Sequence, residues 1–203
     1  PSQPDKFPKL DTSEYGLQAL ELETWRGFLF LRFESGPQPS IATMMKRHEQ
    51  ELSAYPLENL QPTDGLYSSP VVPVNWKAMV DVDNECYHCP SAHPGLTDLY
   101  GRSYEEGPWL DGTHRIRGPF NEKPSRRDLN QGYRELVIQH PEPFNAMPQA
   151  WLYIGLFPIS VLVFYPESAG FYRSIPLDVE TSVMTGSTYS YNGESESMRL
   201  ARE

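Results

Sequence analysis

The chain has 203 residues, a formal net charge of −10 and a hydrophobic share of 38%. This length allows one large domain or two small ones, and the negative charge disfavours nucleic acid or an anionic membrane surface as a partner. The sequence shows no signal peptide and no apolar run of about 18 residues, so we expect a cytoplasmic protein with no membrane partner.

The first part of the chain carries signals for an arm, a hairpin and a helix. Residues 1–16 have no periodicity and indicate an irregular arm. Two strands flank Arg26-Gly27 within residues 17–34, which predicts a β-hairpin. Its second strand is apolar nearly throughout, so we expect both of its faces to be covered. A helix is predicted over residues 41–54, and within it His48 is expected to be a surface or hydrogen-bonded histidine rather than a ligand.

The second part of the chain favours β-structure. Prolines within residues 66–74 indicate an edge strand, and a long loop is expected from residue 94 to about residue 108. A strand over residues 109–120 follows, and residues 125–136 are expected to form a short helix or a mobile lid. Four further strands then form an antiparallel meander, and a helix capped by Ser195 begins near the end. The meander strands are predicted at residues 151–157, 160–165, 170–175 and 182–191.

Residue types that bind metals are densest between Asp81 and Pro94, where two histidines, three acids and two cysteines occur. A helix over residues 75–88 would place Asp81, Glu85 and His88 on one face. His93 would lie about 140° from His88 on an ideal helix. The two imidazoles therefore converge only if the backbone turns after His88, and Pro90 is expected to end the regular helix there.

Two imidazoles and a carboxylate form the facial triad of non-haem Fe(II) oxygenases. His88 and His93 are the candidate metal ligands, and Glu85 is placed to orient an imidazole from behind. Two alternatives stay open at this point. Cys86 and Cys89 could join the histidines in a structural zinc site, although four ligands within eight residues would be cramped. The stretch could also be a buried helix with hydrogen-bonded histidines.

The residues of this stretch resemble a known family. Asn75-Trp76-Lys77, then Glu85-Cys86-Tyr87-His88-Cys89, then His93-Pro94 is similar to the catalytic domain of Rieske-type non-haem iron oxygenase α-subunits. The Glu-Cys-Tyr-His-Cys form most resembles the branch with aromatic-ring hydroxylases and quaternary-ammonium monooxygenases. The hairpin around residues 25–30 resembles the segment that follows the Rieske domain in those proteins.

The resemblance implies roles for individual residues. His88 and His93 would ligate iron, Glu85 would bridge toward a neighbouring subunit's Rieske cluster, and Asp81 would be a polar residue near the iron. It assigns no further cofactor-binding residue. The family's third ligand is an Asp on a C-terminal helix, so we expect it to lie outside this chain. Asp178 is the alternative within the chain, although its surroundings indicate an acid in a turn.

The resemblance also implies a fold and a domain assignment. The fold is expected to be α+β, with an antiparallel sheet of helix-grip (START-like) type packed with helices. Residues 1–203 would form the catalytic domain portion, without the Rieske domain, because residues 1–74 contain no cysteine. They would also lack the C-terminal helix, so the fragment alone is expected to be inactive.

The implied activity is hydroxylation of an aromatic ring or of an N-methyl group, the latter leading to demethylation, by O₂ at a mononuclear Fe(II). A Rieske [2Fe-2S] cluster of the complete protein would feed the iron with electrons from a reductase or ferredoxin, within a homo-oligomer, usually a trimer. The alternative is a START-like module that binds an apolar ligand without redox chemistry. Four aromatic residues could form a cation–π cage around a quaternary ammonium, but they could equally line a pocket for flat rings, and most of them are expected to be ordinary core residues. They are Trp109, Trp151, Tyr153 and Tyr165.

Overall fold

The structure, a computed structural model, describes residues 6, 11, 13–33, 36–63, 65–139 and 146–203. The chain divides into two compact units, residues 1–41 and residues 42–203. The irregular arm expected at residues 1–16 lies largely outside the described residues. The assignment of all 203 residues to one catalytic domain stays a prediction.

The first unit contains the predicted hairpin. Strands β1 (Glu21–Trp25) and β2 (Phe28–Arg32) pair antiparallel. Arg26 and Gly27 form the turn with φ values of 46° and 87°. Two consecutive positive φ angles are typical of the tight turn whose twist matches a hairpin, and glycine adopts the second without steric cost.

The prediction that both faces of β2 are covered is wrong. Leu29 and Leu31 are 67% and 61% exposed. Alternate residues of a strand share one face, and Leu22 lies opposite Leu31 on that same face and is exposed as well. The apolar run of β2 is therefore not covered by a second layer in this hairpin.

In the second unit, eight strands of the described chain form one antiparallel sheet in the order β3-β10-β9-β8-β7-β6-β5, with β4 also paired to β10. The central strands follow one another along the chain, as the predicted meander requires. The strands are β3 (Gln61–Pro62), β4 (Tyr67–Ser68), β5 (Glu105–Glu106), β6 (Thr113–Pro119), β7 (Ala150–Leu156), β8 (Ser160–Phe164), β9 (Ser168–Pro176) and β10 (Ser182–Ser190).

Seven α-helices occur in the described residues, and most are short. They are α1 (Ile41–Met45), α2 (Glu49–Leu52), α3 (Trp76–Asp83), α4 (Cys89–Ala92), α5 (Pro94–Tyr100), α6 (Asp128–Ile138) and α7 (Glu196–Arg202). The helix predicted over residues 41–54 is split, because a 3₁₀ turn at Lys46–His48 separates α1 from α2. The loop expected after residue 94 is wrong, since α5 begins there. The expected cap of α7 is confirmed, because the Ser195 side chain accepts from Met198 N–H.

Chain segments cover both faces of the sheet. On one face, Phe164 of β8 packs against Tyr55, with ring centroids 5.4 Å apart. Arg115 of β6 makes a two-pronged ion pair there with Glu51 of α2. On the other face, the chain around Cys86 packs on side chains from four adjacent strands, namely Ile116, Tyr153, Val161 and Tyr172. The predicted fold class, α+β with an antiparallel sheet packed with helices, is confirmed.

Candidate metal centre and adjoining cleft

The helix before the two candidate ligands ends earlier than the sequence predicts. Asn75 caps α3 as expected, with its side chain accepting from Lys77 N–H at 2.9 Å. The last turn stops at Asp83, because Asn84 leaves helical geometry and its side-chain amide donates to Val80 C=O at 2.6 Å. Short polar side chains compete with the helical backbone in this way. The prediction of one helix face shared by Asp81, Glu85 and His88 is therefore wrong.

Two prolines then set the path of the backbone. Cys89 N–H donates to Cys86 C=O at 3.1 Å, which closes a turn around His88. Pro90 lies in the first turn of α4, so it begins a helix rather than ending one as predicted. His93, with φ −125° and ψ 64°, breaks α4 from α5. The predicted change of direction between the two histidines is thus present.

This path brings the imidazoles of His88 and His93 together. Their ring centroids lie 5.2 Å apart with an interplanar angle of 77°. Nδ1 of His88 lies 2.5 Å from Oε1 of Glu85, and the His88 backbone N–H donates to Oε2 at 3.2 Å. Desolvation acts to raise the pKa of Glu85, but the bonds from His88 outweigh it and lower that pKa overall. Glu85 therefore holds its imidazole as a carboxylate.

The two nearby aspartates differ in exposure. Asp81, predicted to lie near the iron, is exposed. Asp83 is partly buried, and this burial raises its pKa to about 6 despite the opposing effects of the Tyr172 hydroxyl and of His88. The sequence reasoning missed Asp83. Helix geometry could have indicated its burial. Residues two apart on a helix point to different sides, so Asp83 faces away from the side on which Asp81 is exposed.

Asp178 occupies the turn between β9 and β10. Its Oδ1 accepts from the backbone N–H groups of Glu180 and Thr181, both at 2.8 Å. The next residue, Val179, accepts from the side chain of Asn75 at the start of α3. His88 lies beyond the other end of that helix. The helix has eight residues and is thus about 12 Å long, so the turn that holds Asp178 and His88 lie near opposite ends of it. These contacts agree with the interpretation of Asp178 as a turn acid.

The donor set fits a mononuclear metal in part. Two imidazoles with a carboxylate bonded behind one of them match the ligand and supporting groups of non-haem iron centres. Within the described residues, no three His, Cys, Asp or Glu side chains gather as a group able to hold a metal ion. The described residues therefore bring together the two candidate ligands, His88 and His93, without a third.

An open cleft of about 620 Å³ runs along α3. Trp76, Trp109 and Phe157 supply aromatic walls, and Asp81 and Asp111 supply carboxylates. The possible aromatic cage is not assembled, and core roles prevail among its candidates, as expected for most of them. Trp109 lines this cleft, whereas Tyr153 belongs to the core around Cys86 and Trp151 packs on Tyr100.

The profile of the ring hydroxylating alpha subunit family (catalytic domain) matches residues 43–203. The chain belongs to this family. Among curated proteins, it is 30% identical over 86 residues to the glycine betaine monooxygenase oxygenase subunit of Pseudomonas aeruginosa (strain UCBPP-PA14), covering 42% of this chain and 19% of that protein. It is 33% identical over 98 residues to the carnitine monooxygenase oxygenase subunit of Escherichia coli (strain K12), covering 46% of this chain and 25% of that protein.

Solved structures of this ring-hydroxylating family share the fold. The quaternary ammonium Rieske monooxygenase CntA, in complex with an inhibitor, matches with a TM-score of 0.69 and 18% identity, over 97% of this chain and 49% of that one. Naphthalene 1,2-dioxygenase with indole bound matches with a TM-score of 0.69 and 16% identity, over 100% of this chain and 51% of that one. The chain thus spans about half the length of these structures.

Two histidines outside the candidate pair have other roles in this catalytic-domain fold. His48 is 2% exposed, and its Nε2 lies 3.0 Å from Thr113 Oγ1. The prediction of a hydrogen-bonded histidine is confirmed. His114, which the sequence reasoning passed over, stacks on Trp109 of the cleft, and its Nδ1 is buried without a partner in the described residues.

None of the described helices has the length and apolarity needed to cross a membrane.

Burial of His48 predicts a pH dependence of stability. Burial, with Arg47 nearby, lowers its pKa from 6.5 to about 4. Between these values the unfolded chain binds more protons than the folded chain, so stability is lost as the pH falls from 6.5 toward 4. We expect urea unfolding to show a loss of about 2 kcal/mol over this range. The His48→Gln variant should lack this component, and an unchanged slope in that variant would contradict the assignment.

Proposed function

We propose that this chain is the iron-holding part of an oxygenase, with His88 and His93 as two ligands of one Fe(II). The observation that carries the proposal is the pair of imidazoles 5.2 Å apart with Glu85 bonded behind one of them. Membership of the ring-hydroxylating family supports the same assignment. When bound, the iron would supply activation of O₂ for hydroxylation of an N-methyl group or an aromatic ring.

The residues of the chain have distinct tasks in this proposal. Glu85 fixes the ring orientation of His88 through Nδ1, which leaves Nε2 as the nitrogen for a metal. The carboxylate is partly exposed, so it can also face an electron donor. We propose that this donor is the Rieske [2Fe-2S] cluster of a neighbouring subunit, reduced by a reductase or ferredoxin. A homo-oligomer, a trimer by family resemblance, follows from that arrangement.

The substrate we propose is a quaternary ammonium compound rather than a flat aromatic ring. Aromatic faces attract a desolvated cation, and Trp76, Trp109 and Phe157 line one cleft with Asp81 and Asp111. Lys77 also lines the cleft, with its ammonium 5.8 Å from the Trp76 ring centroid. The two carboxylates outweigh this single positive charge, so the lining would favour a cation over a neutral ring. The similarity to glycine betaine and carnitine monooxygenases points to the same substrate class. In this proposal Asp81 acts on the substrate, from a cleft along the helix that leads to the histidines.

Replacing Trp109 by alanine tests the substrate proposal. We expect a trimethylammonium compound to bind the chain about tenfold more weakly in this variant, because one cation–π face is lost. A neutral tert-butyl analogue of the same shape should bind weakly to both proteins, with little change. Calorimetric titration measures both affinities. An equal loss for the two compounds would show that Trp109 contributes only apolar contact.

Anaerobic titration with Fe(II) tests the metal proposal. We expect the chain to bind one Fe(II) per molecule weakly, because no third ligand gathers with the pair among the described residues. The His88→Ala and His93→Ala variants should lose binding. Tyr87→Ala is a matched control, since Tyr87 neighbours His88 and is 90% exposed. Ligand binding in the cleft with no metal binding by the unmodified chain would favour the alternative, a START-like module without redox chemistry.

A further inference from the structure

The two cysteines of the chain enclose a candidate iron ligand. Cys86 and Cys89 are both free, and His88 lies between them. The bond from Cys89 N–H to Cys86 C=O, 3.1 Å long, closes a four-residue turn. The ends of such a turn have Cα atoms less than about 7 Å apart. This separation overlaps the range of about 4.4–6.8 Å that a disulfide requires.

The side chains meet as the backbone predicts. Cys89 packs against the buried cluster that contains Cys86, and its Sγ lies 4.0 Å from His88 Nε2. Both cysteines line a cavity of about 50 Å³. A cavity needs only about 10–15 Å³ to admit a water molecule, so this one can admit a molecule as small as hydrogen peroxide.

Both candidate ligands depend on the position of Cys89. His88 is its neighbour in the chain, and the His93 N–H donates to Cys89 C=O at 2.9 Å. Thr97 Oγ1 donates to the same carbonyl at 3.2 Å. A covalent bond at Cys89 therefore acts on both histidines through short backbone links.

We propose that Cys86 and Cys89 form a peroxide-oxidised dithiol whose disulfide displaces His88 and His93 and weakens metal binding there. Cys89, the more exposed sulfur, attacks one oxygen of hydrogen peroxide. The O–O bond breaks, one water leaves, and Cys89 becomes a sulfenic acid. Cys86 then attacks this sulfur, the S–S bond forms, and hydroxide leaves with the thiol proton as a second water. Two electrons pass from the sulfurs to the peroxide.

The surroundings of the thiols limit how peroxide reaches them. Cys86 is 5% exposed and Cys89 is partly buried, and both line the same small cavity. Peroxide therefore reaches the pair through this cavity. Peroxide from unproductive O₂ reduction at an oxygenase site is one source, and this part of the inference rests on the proposed function.

The test treats the reduced 203-residue chain with hydrogen peroxide and follows thiols and histidines separately. Alkylation under denaturing conditions with mass spectrometry should show both thiols lost together, one intramolecular disulfide, and recovery with dithiothreitol. The imidazole NMR signals of His88 and His93 should shift with oxidation and return on reduction. Co(II) affinity should fall about tenfold or more in the oxidised chain.

Matched variants separate the steps. Cys86→Ser should stop at the sulfenic acid of Cys89, and Cys89→Ser should form no disulfide, with reversible histidine shifts absent in both. Disulfides between molecules, overoxidation without a disulfide, or a disulfide with unshifted histidine signals would each overturn the proposal. If the reduced chain binds no metal, the proposed function fails. The mass and NMR readouts still decide whether the dithiol forms and moves the histidines.

Discussion

Replacing His93 by alanine in the complete protein is expected to abolish iron binding and product formation together. The imidazoles of His93 and His88 lie with their ring centroids 5.2 Å apart. Without the His93 ring, no other described histidine lies beside His88 to share a metal ion with it. Iron analysis and product assay on the same preparation measure the two effects. We expect iron below one tenth of the unmodified protein and no detectable turnover.

Ser91→Ala is the matched control for this substitution. Ser91 lies on α4 between the two histidines, is exposed, and donates its hydroxyl to His88 C=O at 2.9 Å. Loss of one exposed hydrogen bond should cost stability only slightly and leave iron content unchanged. Turnover retained in the His93→Ala protein would refute the assignment of His93 as a ligand.

Replacing Phe164 by alanine is expected to destabilise the fold by about 3–5 kcal/mol. The ring is fully buried in β8 at 0% exposure, where it packs against Tyr55. A truncation of this size removes apolar contacts and leaves a cavity in the sheet. Since domains are stable by only about 5–15 kcal/mol, urea unfolding should show a large fall in the midpoint.

Phe157→Ala is the matched control for the core substitution. Phe157 follows the last residue of the neighbouring strand β7 and is 67% exposed on the cleft. Its loss should change the free energy of unfolding by less than about 1 kcal/mol. Equal destabilisation by the two substitutions would show that the sheet face near Phe164 is not the core.

Much of the fold could be predicted from the sequence, because its strongest signals are local. The strands from β7 to β10 combine β-branched and aromatic residues with short links, two of which contain proline. Strands of this kind pair with their neighbours. The hairpin followed from a turn whose second residue, Gly27, tolerates positive φ. The apolar sequence of β2 led to a wrong prediction. An apolar run shows that a strand could be covered, but not that another layer covers Leu29 and Leu31.

The approach of the two candidate ligands could be predicted from the sequence, but the backbone path that produces it could be predicted only in part. The pairing of His88 with His93 required a change of direction, which the prolines signalled. The end of α3 at Asp83 could not be foreseen, because it depends on the Asn84 side chain bonding to Val80. It also depends on room beside the sheet at Gly155, where an added Cβ would lie 2.9 Å from Asn84 Oδ1. The cleft was missed because Trp76 and Trp109 are distant in sequence.

The measurement that tests the central claim most directly is histidine NMR during anaerobic addition of Fe(II). Paramagnetic broadening falls steeply with distance from the ion, so it reports which imidazoles bind. Of the five histidines in the chain, His88 and His93 should broaden first and together, while His48 and His114 stay sharp. Uniform broadening of all signals, or sharp signals for His88 and His93 in a large excess of Fe(II), would contradict a metal centre at this pair.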